Sequence, residues 1–193
     1  MSDYTAISDV GTTLIKLLWD NIKNDSQVSP IIESENDITL SSPEESDKKL
    51  SLFLYQVTEE AYLKNQEMQI INSTKLKYPP LSLSLFYLVT PHTSNSENDH
   101  RILVKVMQIF HDNSILRGSV LHENLVGEEL KLILNPLSME ELNKICTVIL
   151  KNKPYKLSVC YEVTPVRIES MREREVARVT KRELEKYTIR VEK

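Results

Sequence analysis

The clearest hydrophobic pattern in the chain is the alternation along Tyr78–Thr90 (YPPLSLSLFYLVT), which predicts a β-strand. One face of this strand carries the apolar residues Leu81, Leu83, Leu85, Tyr87 and Val89. The other face begins with Ser82 and Ser84 and becomes apolar at Phe86 and Leu88. We therefore expect a strand whose first half is open to solvent on one side and whose second half is covered on both.

Further strands are predicted from runs of apolar and β-branched residues bounded by turn formers. They are Pro30–Glu33, Asp37–Leu40, Leu50–Thr58, Met68–Leu76, Glu128–Leu134 and Tyr155–Ile168. The segment Glu59–Gln66 fits either a helix or a loop, and Ile115–Leu121 is irregular around Gly118.

Apolar residues at helical spacing predict three helices. The first covers Thr5 to about Asn24, with Gly11 at a point of close packing against a neighbouring element. The second follows Asp99 as its N-cap and carries an apolar face from Ile102 to Phe110. The third opens with a capping box of Ser138 and Glu141.

Strands and helices in this order predict an α+β domain. We expect residues 1–170 to form this domain and residues 171–193 to form a charged C-terminal arm, because apolar residues become sparse beyond Ser170. An element completed by a partner and a plain solvated tail are the alternatives for residues 171–193. Five residues are predicted to lie in the core: Leu83, Leu85, Val106, Ile145 and Val159.

Charge and hydropathy limit the classes of function. The 193 residues carry a net charge of −4, which argues against a general nucleic-acid-binding protein. The segment Arg167–Lys193 is basic, with nine Lys and Arg against six Asp and Glu, so we expect it to meet acidic protein surfaces. The longest uncharged apolar run, Leu81–Val89, is too short for a membrane span, and the N-terminus lacks a signal-peptide pattern. We expect a cytoplasmic protein.

Catalytic and cofactor motifs are not recognisable in the sequence. The chain has three glycines, none in a phosphate-binding loop, and no G-x-S-x-G elbow. His100 and His111 would lie about 16 Å apart along a helix, too far for one metal ion. Cys146 and Cys160 are predicted to be buried free thiols in a reducing compartment. We therefore expect a non-enzymatic interaction or structural module without cofactor or metal.

A resemblance to a known family lies in three segments: Tyr78–Thr90, Leu134–Leu142 (LNPLSMEEL) and Tyr155–Ser170 (YKLSVCYEVTPVRIES). In this order and spacing they resemble the N-terminal domain of the tail-cap, or tail-terminator, proteins of extracellular contractile injection systems, the phage-tail-like particles of the antifeeding-prophage and virulence-cassette type. The resemblance spans Ile7 to Ser170. Many members carry a tryptophan where this chain has Ile145–Cys146–Thr147, and many have an additional C-terminal domain.

The resemblance implies a mixed, largely antiparallel sheet flanked by helices, as in tail terminators. It also implies a sixfold ring that caps the tube and sheath, fixes their length and anchors sheath to tube. The expected partners are other copies of the chain, the sheath protein and the inner tube protein, with no nucleic acid and no membrane. The protein would be cytoplasmic during assembly and then part of a contractile particle. We expect Arg172, Arg174, Arg178 and Arg182 of the arm to contact acidic partners, either the neighbouring protomer or the sheath.

Two other functions are compatible with the sequence. One is a head–tail completion protein of a contractile-tailed phage or prophage, which would dock on a DNA-filled portal; neighbouring capsid genes would favour it. The other is an enzyme with an unrecognised site, which a cluster of perturbed titratable residues in a pocket would favour.

Overall fold

The computed structural model of the chain describes residues 4–43, 47–64, 66–72, 74–149 and 156–175. The chain divides into two compact units. The first unit comprises residues 1–65 and 80–169, and the second comprises residues 66–79 and 170–193.

A six-stranded sheet forms the centre of the first unit, in the order β1-β2-β5-β8-β7-β6. The strands are β1 (Ile38–Thr39), β2 (Leu50–Glu59), β5 (Leu81–Pro91), β6 (Ile115–Arg117), β7 (Glu129–Leu134) and β8 (Val159–Ile168). Strands β1 and β2 run parallel, and the other neighbouring pairs are antiparallel. The predicted α+β class with a mixed, largely antiparallel sheet is confirmed.

Three helices accompany this sheet: α1 (Ala6–Ile22), α2 (Ser96–Asp112) and α3 (Met139–Ile149). The apolar faces of α1 and α2 enter one hydrophobic core together with Leu85 of β5, which is fully buried. Phe110 of α2 meets Tyr161 of β8 edge-on, with ring centroids 4.9 Å apart. Burial of these aliphatic and aromatic side chains is the main force that holds the helices to the sheet.

The start of α2 differs from the prediction. Asn95, not Asp99, is the N-cap, because its side chain accepts a hydrogen bond from the backbone N–H of Glu97 at 2.9 Å. Asp99 instead accepts hydrogen bonds from the backbone N–H and the hydroxyl of Thr93. The helix therefore begins three residues before Asp99, and the Asp99 carboxylate fixes the loop that leads into it.

Two of the short strand predictions were wrong in part or in full. Residues 30–33 form turns, because Ile31 and Ile32 donate backbone hydrogen bonds back to the carbonyl of Val28. Only Ile38–Thr39 of the second segment pairs as a strand. Ile32 is fully buried, so its apolar character reflects a turn that packs on the core.

The serine side of β5 was also wrongly predicted to be open. Ser82 and Ser84 are both buried. The Ser84 hydroxyl lies 3.0 Å from a Glu60 carboxylate oxygen and 2.9 Å from the Thr164 hydroxyl. Polar partners therefore satisfy the buried Ser84 hydroxyl, whereas the buried Ser82 hydroxyl has no hydrogen-bond partner among the described residues. Leu88, in the second half, is buried as expected.

The predicted core is mostly confirmed. Leu83, Leu85 and Val106 are buried, whereas Ile145 and Val159 are only half-buried. Strand β8 starts at Val159, four residues later than predicted, so Val159 lies at the end of the sheet rather than inside it.

Both cysteines are free and buried, as predicted. The Cys160 sulfur is 2.9 Å from the Tyr55 hydroxyl. Burial, the main cause, raises the pKa of the Cys160 thiol above its ordinary value, which favours the neutral form.

Gly11 of α1 lies where another element comes close, as predicted. A Cβ atom added at this position would be 2.6 Å from Cδ1 of Leu40. The absence of a side chain at Gly11 thus lets the chain after β1 approach the helix.

The second unit contains a three-stranded antiparallel sheet in the order β3-β4-β9. Its strands are β3 (Gln69–Asn72), β4 (Lys75–Lys77) and β9 (Glu173–Glu175). The predicted single strand Met68–Leu76 is wrong, because the chain turns back between β3 and β4. Asn72 helps to fix this turn, since its side-chain oxygen accepts from the backbone N–H of Thr74 at 2.9 Å.

Candidate interaction surfaces

Two of the four arginines predicted to bind partners lie in the described part of the second unit. Arg174 is in β9, opposite Leu76 of β4. The Arg172 guanidinium lies 4.4 Å from the centre of the Tyr78 ring, and the Tyr78 backbone N–H donates to the Arg172 carbonyl at 3.1 Å. Arg178 and Arg182 lie outside the described residues, so their role stays a prediction, as does the boundary of the predicted arm at residue 171.

The small sheet has one face of paired charges. Lys75 is opposite Glu175 and Lys77 is opposite Glu173 across the β4–β9 pair. The Lys75 ammonium also forms a salt bridge of 2.8 Å with Glu173. This contact raises the pKa of Lys75 and lowers the pKa of Glu173, because each charge stabilises the other. The charges on this face thus largely satisfy one another.

The opposite face of the small sheet combines aliphatic and arginine side chains. Ile70, Leu76 and Arg174 are neighbours in the strand pairing, and cross-strand neighbours share one face. We call this surface, together with Arg172 stacked on Tyr78, the arginine face. Ile70 is 79% exposed, which is unusual for an isoleucine in a strand.

The arginines could be identified from the sequence, but the residues that lie beside them in the small sheet could not. Ile70, Leu76 and Tyr78 were assigned to sheet strands without a role in binding. The polar Asn72–Thr74 stretch between two apolar groups was the available signal for a hairpin, since such residues favour turns. The pairing of this hairpin with β9 has no local sequence signal, because the two segments are about a hundred residues apart.

The outer strands of the six-stranded sheet are short. β1 has two residues and pairs only with Leu50 and Ser51 of β2, and β6 has three. Beyond Ser51, the outer side of β2 has no strand partner within the described part of the chain. An extra residue at Tyr55 interrupts this stretch as a β-bulge, and the Tyr55 hydroxyl is held by Cys160 on the sheet. Bulges and short outer strands discourage further strands from joining a sheet.

The first unit also contains a cavity of about 420 Å³ that is lined by both charged and apolar residues. Its lining includes Glu60, Glu129, Lys131 and Arg167. The Glu60 carboxylate is already bonded to Ser84 and Thr164, so its position is fixed by the sheet. Burial raises the pKa values of Tyr55 and Cys160, but neither residue lines this cavity.

The described residues contain neither a cluster of metal ligands nor a membrane-spanning helix. No group of three or more His, Cys, Asp or Glu side chains there could hold a metal ion. None of the helices in the described ranges has the length and apolar character needed to cross a bilayer.

Most of the chain matches a known protein family. Residues 9–182 match the model of the Pvc16 N-terminal domain family. The chain belongs to this family. The match covers the six-stranded sheet and extends through β9, so it includes the strands of both compact units. No curated protein matches the chain significantly.

Two solved structures share the fold of this Pvc16 N-terminal domain. One is the PVC sheath/tube terminator of an extracellular contractile injection system in the extended state, with 18% identity and a TM-score of 0.63. The other is the tube-terminating cap of the anti-feeding prophage, with 20% identity and a TM-score of 0.62. The resemblance to tail terminators and the tail-terminator-like fold are thus confirmed.

The chain spans about two thirds of the length of the structures it resembles. The similarity to the PVC terminator covers 98% of this chain and 66% of that chain. The similarity to the anti-feeding prophage cap covers 92% of this chain and 60% of that chain. At these identities the similarity shows that this chain and the two structures share a fold.

Proposed function

We propose that this protein is the cap of a contractile phage-tail-like injection particle, where it terminates the tube and the sheath. The observation that carries this proposal is the match of nearly the whole chain, 98%, to a protein described as a sheath/tube terminator. Capping fixes the length of the tail and anchors the sheath to the tube. The role is structural, and it requires neither catalysis nor a cofactor.

The partners of such a cap are the sheath protein, the inner tube protein and other copies of the chain. We infer a ring of copies, because a head-to-tail interface whose rotation closes on itself forms a ring, and the resemblance to tail terminators implies that this ring is sixfold. The acidic net charge of −4 and the family match favour protein partners over nucleic acid or a membrane. Assembly takes place in the cytoplasm, where the tail polymerises.

A cap has to bind the last ring of the tube and the sheath, and it must not offer a surface on which a further ring can assemble. The short outer strands β1 and β6 suit the second requirement, because they offer few backbone groups to an incoming strand, and the bulge at Tyr55 interrupts the longer open side of β2. The segment Met171–Lys193, with Arg172, Arg174, Arg178 and Arg182, serves the first, because its basic charge suits an acidic surface that holds the cap in place, on the neighbouring protomer or on the sheath.

The direct test of this proposal is to remove the protein from a particle-producing strain and image the particles by electron microscopy. We expect tails of irregular length or sheaths detached from their tubes, and restoration by the wild-type chain. In wild-type particles, density for the protein should appear as a sixfold ring at the distal end. Particles of uniform length without the protein, or a ring at a DNA-filled portal, would overturn the proposal; the second result would favour a head–tail completion protein.

The role of the arm is tested by two variants in the same strain. Deletion of Met171–Lys193 should leave the six-stranded sheet folded but abolish capping. Reversal of Arg172, Arg174, Arg178 and Arg182 to glutamate should weaken the same contact, more so at low salt, where repulsion is least screened. Capped particles of uniform length from the deletion variant would place the capping contact in the remaining domain.

A further inference from the structure

The small sheet of the second unit is short and exposed. The three strands β3, β4 and β9 have three or four residues each, and none of those residues is buried. So small a sheet buries too little apolar surface to be stable without covering contacts. Ile70 and Ile71, which are 79% and 48% exposed, offer apolar surface for such a contact.

Charge distinguishes the two faces of this sheet. On one face, Lys75 and Lys77 are paired with Glu173 and Glu175, so the lysines and glutamates there are already compensated. On the arginine face, Leu76 separates Ile70 from Arg174, and the cross-strand register gives Arg174 no carboxylate opposite it. Arginine is enriched in protein interfaces, and the buried centre of an interface is more apolar than the rest of the surface.

The two compact units carry opposite charge, which indicates what would cover the arginine face. Residues 66–79 and 170–193 contain ten Lys and Arg against six Asp and Glu, a net charge of +4. Residues 1–65 and 80–169 contain 14 against 22, a net charge of −8. Every additional copy of the chain therefore brings an acidic surface that suits a basic one.

We propose that the arginine face docks on the acidic first unit of a second copy of this chain, and that this contact joins neighbouring subunits of the cap. The inference rests on the proposed cap function and names the surface that the ring uses. Because a basic face of one copy meets an acidic surface of another, the interface is heterologous and can continue from subunit to subunit until it closes.

Residue-specific photo-crosslinking in assembled particles tests this contact. Gln69 and Ile70 are consecutive residues of β3, so their side chains point to opposite faces of the small sheet. A photoreactive phenylalanine derivative at position 70 should give an adduct of twice the 22.3 kDa chain mass, containing peptides of this chain alone. The same group at position 69, on the charged face, should lose that adduct.

A pair of variants with the same change in net charge provides a second measurement that does not depend on the crosslinker. Arg174→Gln removes one positive charge from the arginine face, and Gln69→Glu adds one negative charge to the opposite face. We expect Arg174→Gln to lower the amount of ring recovered from particles, and Arg174→Lys to restore part of it. Gln69→Glu should leave ring recovery unchanged.

The possible results separate this inference from the cap function itself. A position-70 adduct with the sheath or tube protein, in particles that remain capped, would overturn the docking surface and leave the cap function standing. Equal homodimer adducts from positions 69 and 70, or equal ring loss from Arg174→Gln and Gln69→Glu, would also overturn the docking surface. Absence of the protein from particles would remove both proposals.

Discussion

The Arg172 guanidinium stacks on the Tyr78 ring, 4.4 Å from its centre, at the point where the two chain segments of the second unit meet. The backbone hydrogen bond that the Tyr78 N–H donates to the Arg172 carbonyl lies beside this stack. The cation therefore contributes to local order as well as to the charge of the arginine face.

Replacing Tyr78 by leucine should loosen this junction. Arg172 is exposed and Tyr78 is half-buried, so we expect a loss of about 0.5–1 kcal/mol in local opening free energy. Hydrogen exchange of the backbone amide at position 78 measures this quantity. Tyr78→Phe keeps the ring face and should retain the protection; equal exchange rates in the two variants would show that the stack contributes nothing.

Shortening Leu85 should destabilise the first unit strongly. Leu85 is fully buried between α1, α2 and the sheet, so Leu85→Ala should lower the free energy of unfolding by about 2–5 kcal/mol. Urea unfolding followed by the fluorescence of Trp19, in α1, measures it. Leu81 belongs to the same strand but is 45% exposed, so Leu81→Ala is the control and should have a much smaller effect.

The capping box of α3 should make stability depend on pH. The backbone N–H and the hydroxyl of Ser138 bond to the Glu141 carboxylate and hold the pKa of Glu141 below its ordinary value. This contribution is fully present above the pKa of the unfolded carboxyl, about 4.3, and is lost as pH falls through the lower folded pKa. Glu141→Gln should therefore melt earlier than wild type at neutral pH.

The same comparison in acid supplies the contrasting result. Because wild-type Glu141 is neutral below its folded pKa, the difference in Tm from Glu141→Gln should shrink toward zero there. A difference that persists at low pH would mean that the carboxylate charge does not contribute to the cap.

An alanine at position 11 should show two opposing effects. Alanine is favoured over glycine inside a helix by about 1 kcal/mol, but its Cβ would meet the Leu40 side chain. We expect Gly11→Ala to give little or no gain in unfolding free energy in the wild-type background. In a Leu40→Ala background the same substitution should stabilise the protein. A double-mutant cycle measures this coupling, and additive effects would show that the close approach does not matter.

Elements set by local patterns could be predicted from the sequence. The helix α1 follows from apolar spacing, and the start of α3 follows from Ser138 and Glu141, whose mutual bonds lie within one turn. The strand β2 was predicted to within one residue for the same reason.

Features set by distant partners could not be predicted in this way. Ser84 is buried because Glu60 and Thr164 supply hydrogen-bond partners from other parts of the chain. The arginine face exists because β9 pairs with a hairpin far away in sequence, and no periodicity in either segment specifies that pairing. The choice of arginines as partner-binding residues came from charge alone, which locates them along the chain but not on a face.

The shortness of β1 and β6 also bears on how the protein behaves before it reaches a particle. Two free molecules that met along these borders would gain only a few backbone hydrogen bonds, too few to repay the loss of their independent motion. The bulge at Tyr55 bends the longer neighbouring border of β2 out of the flat form that fibres require. We therefore expect free copies of the chain to resist growth into fibres by strand addition at these borders.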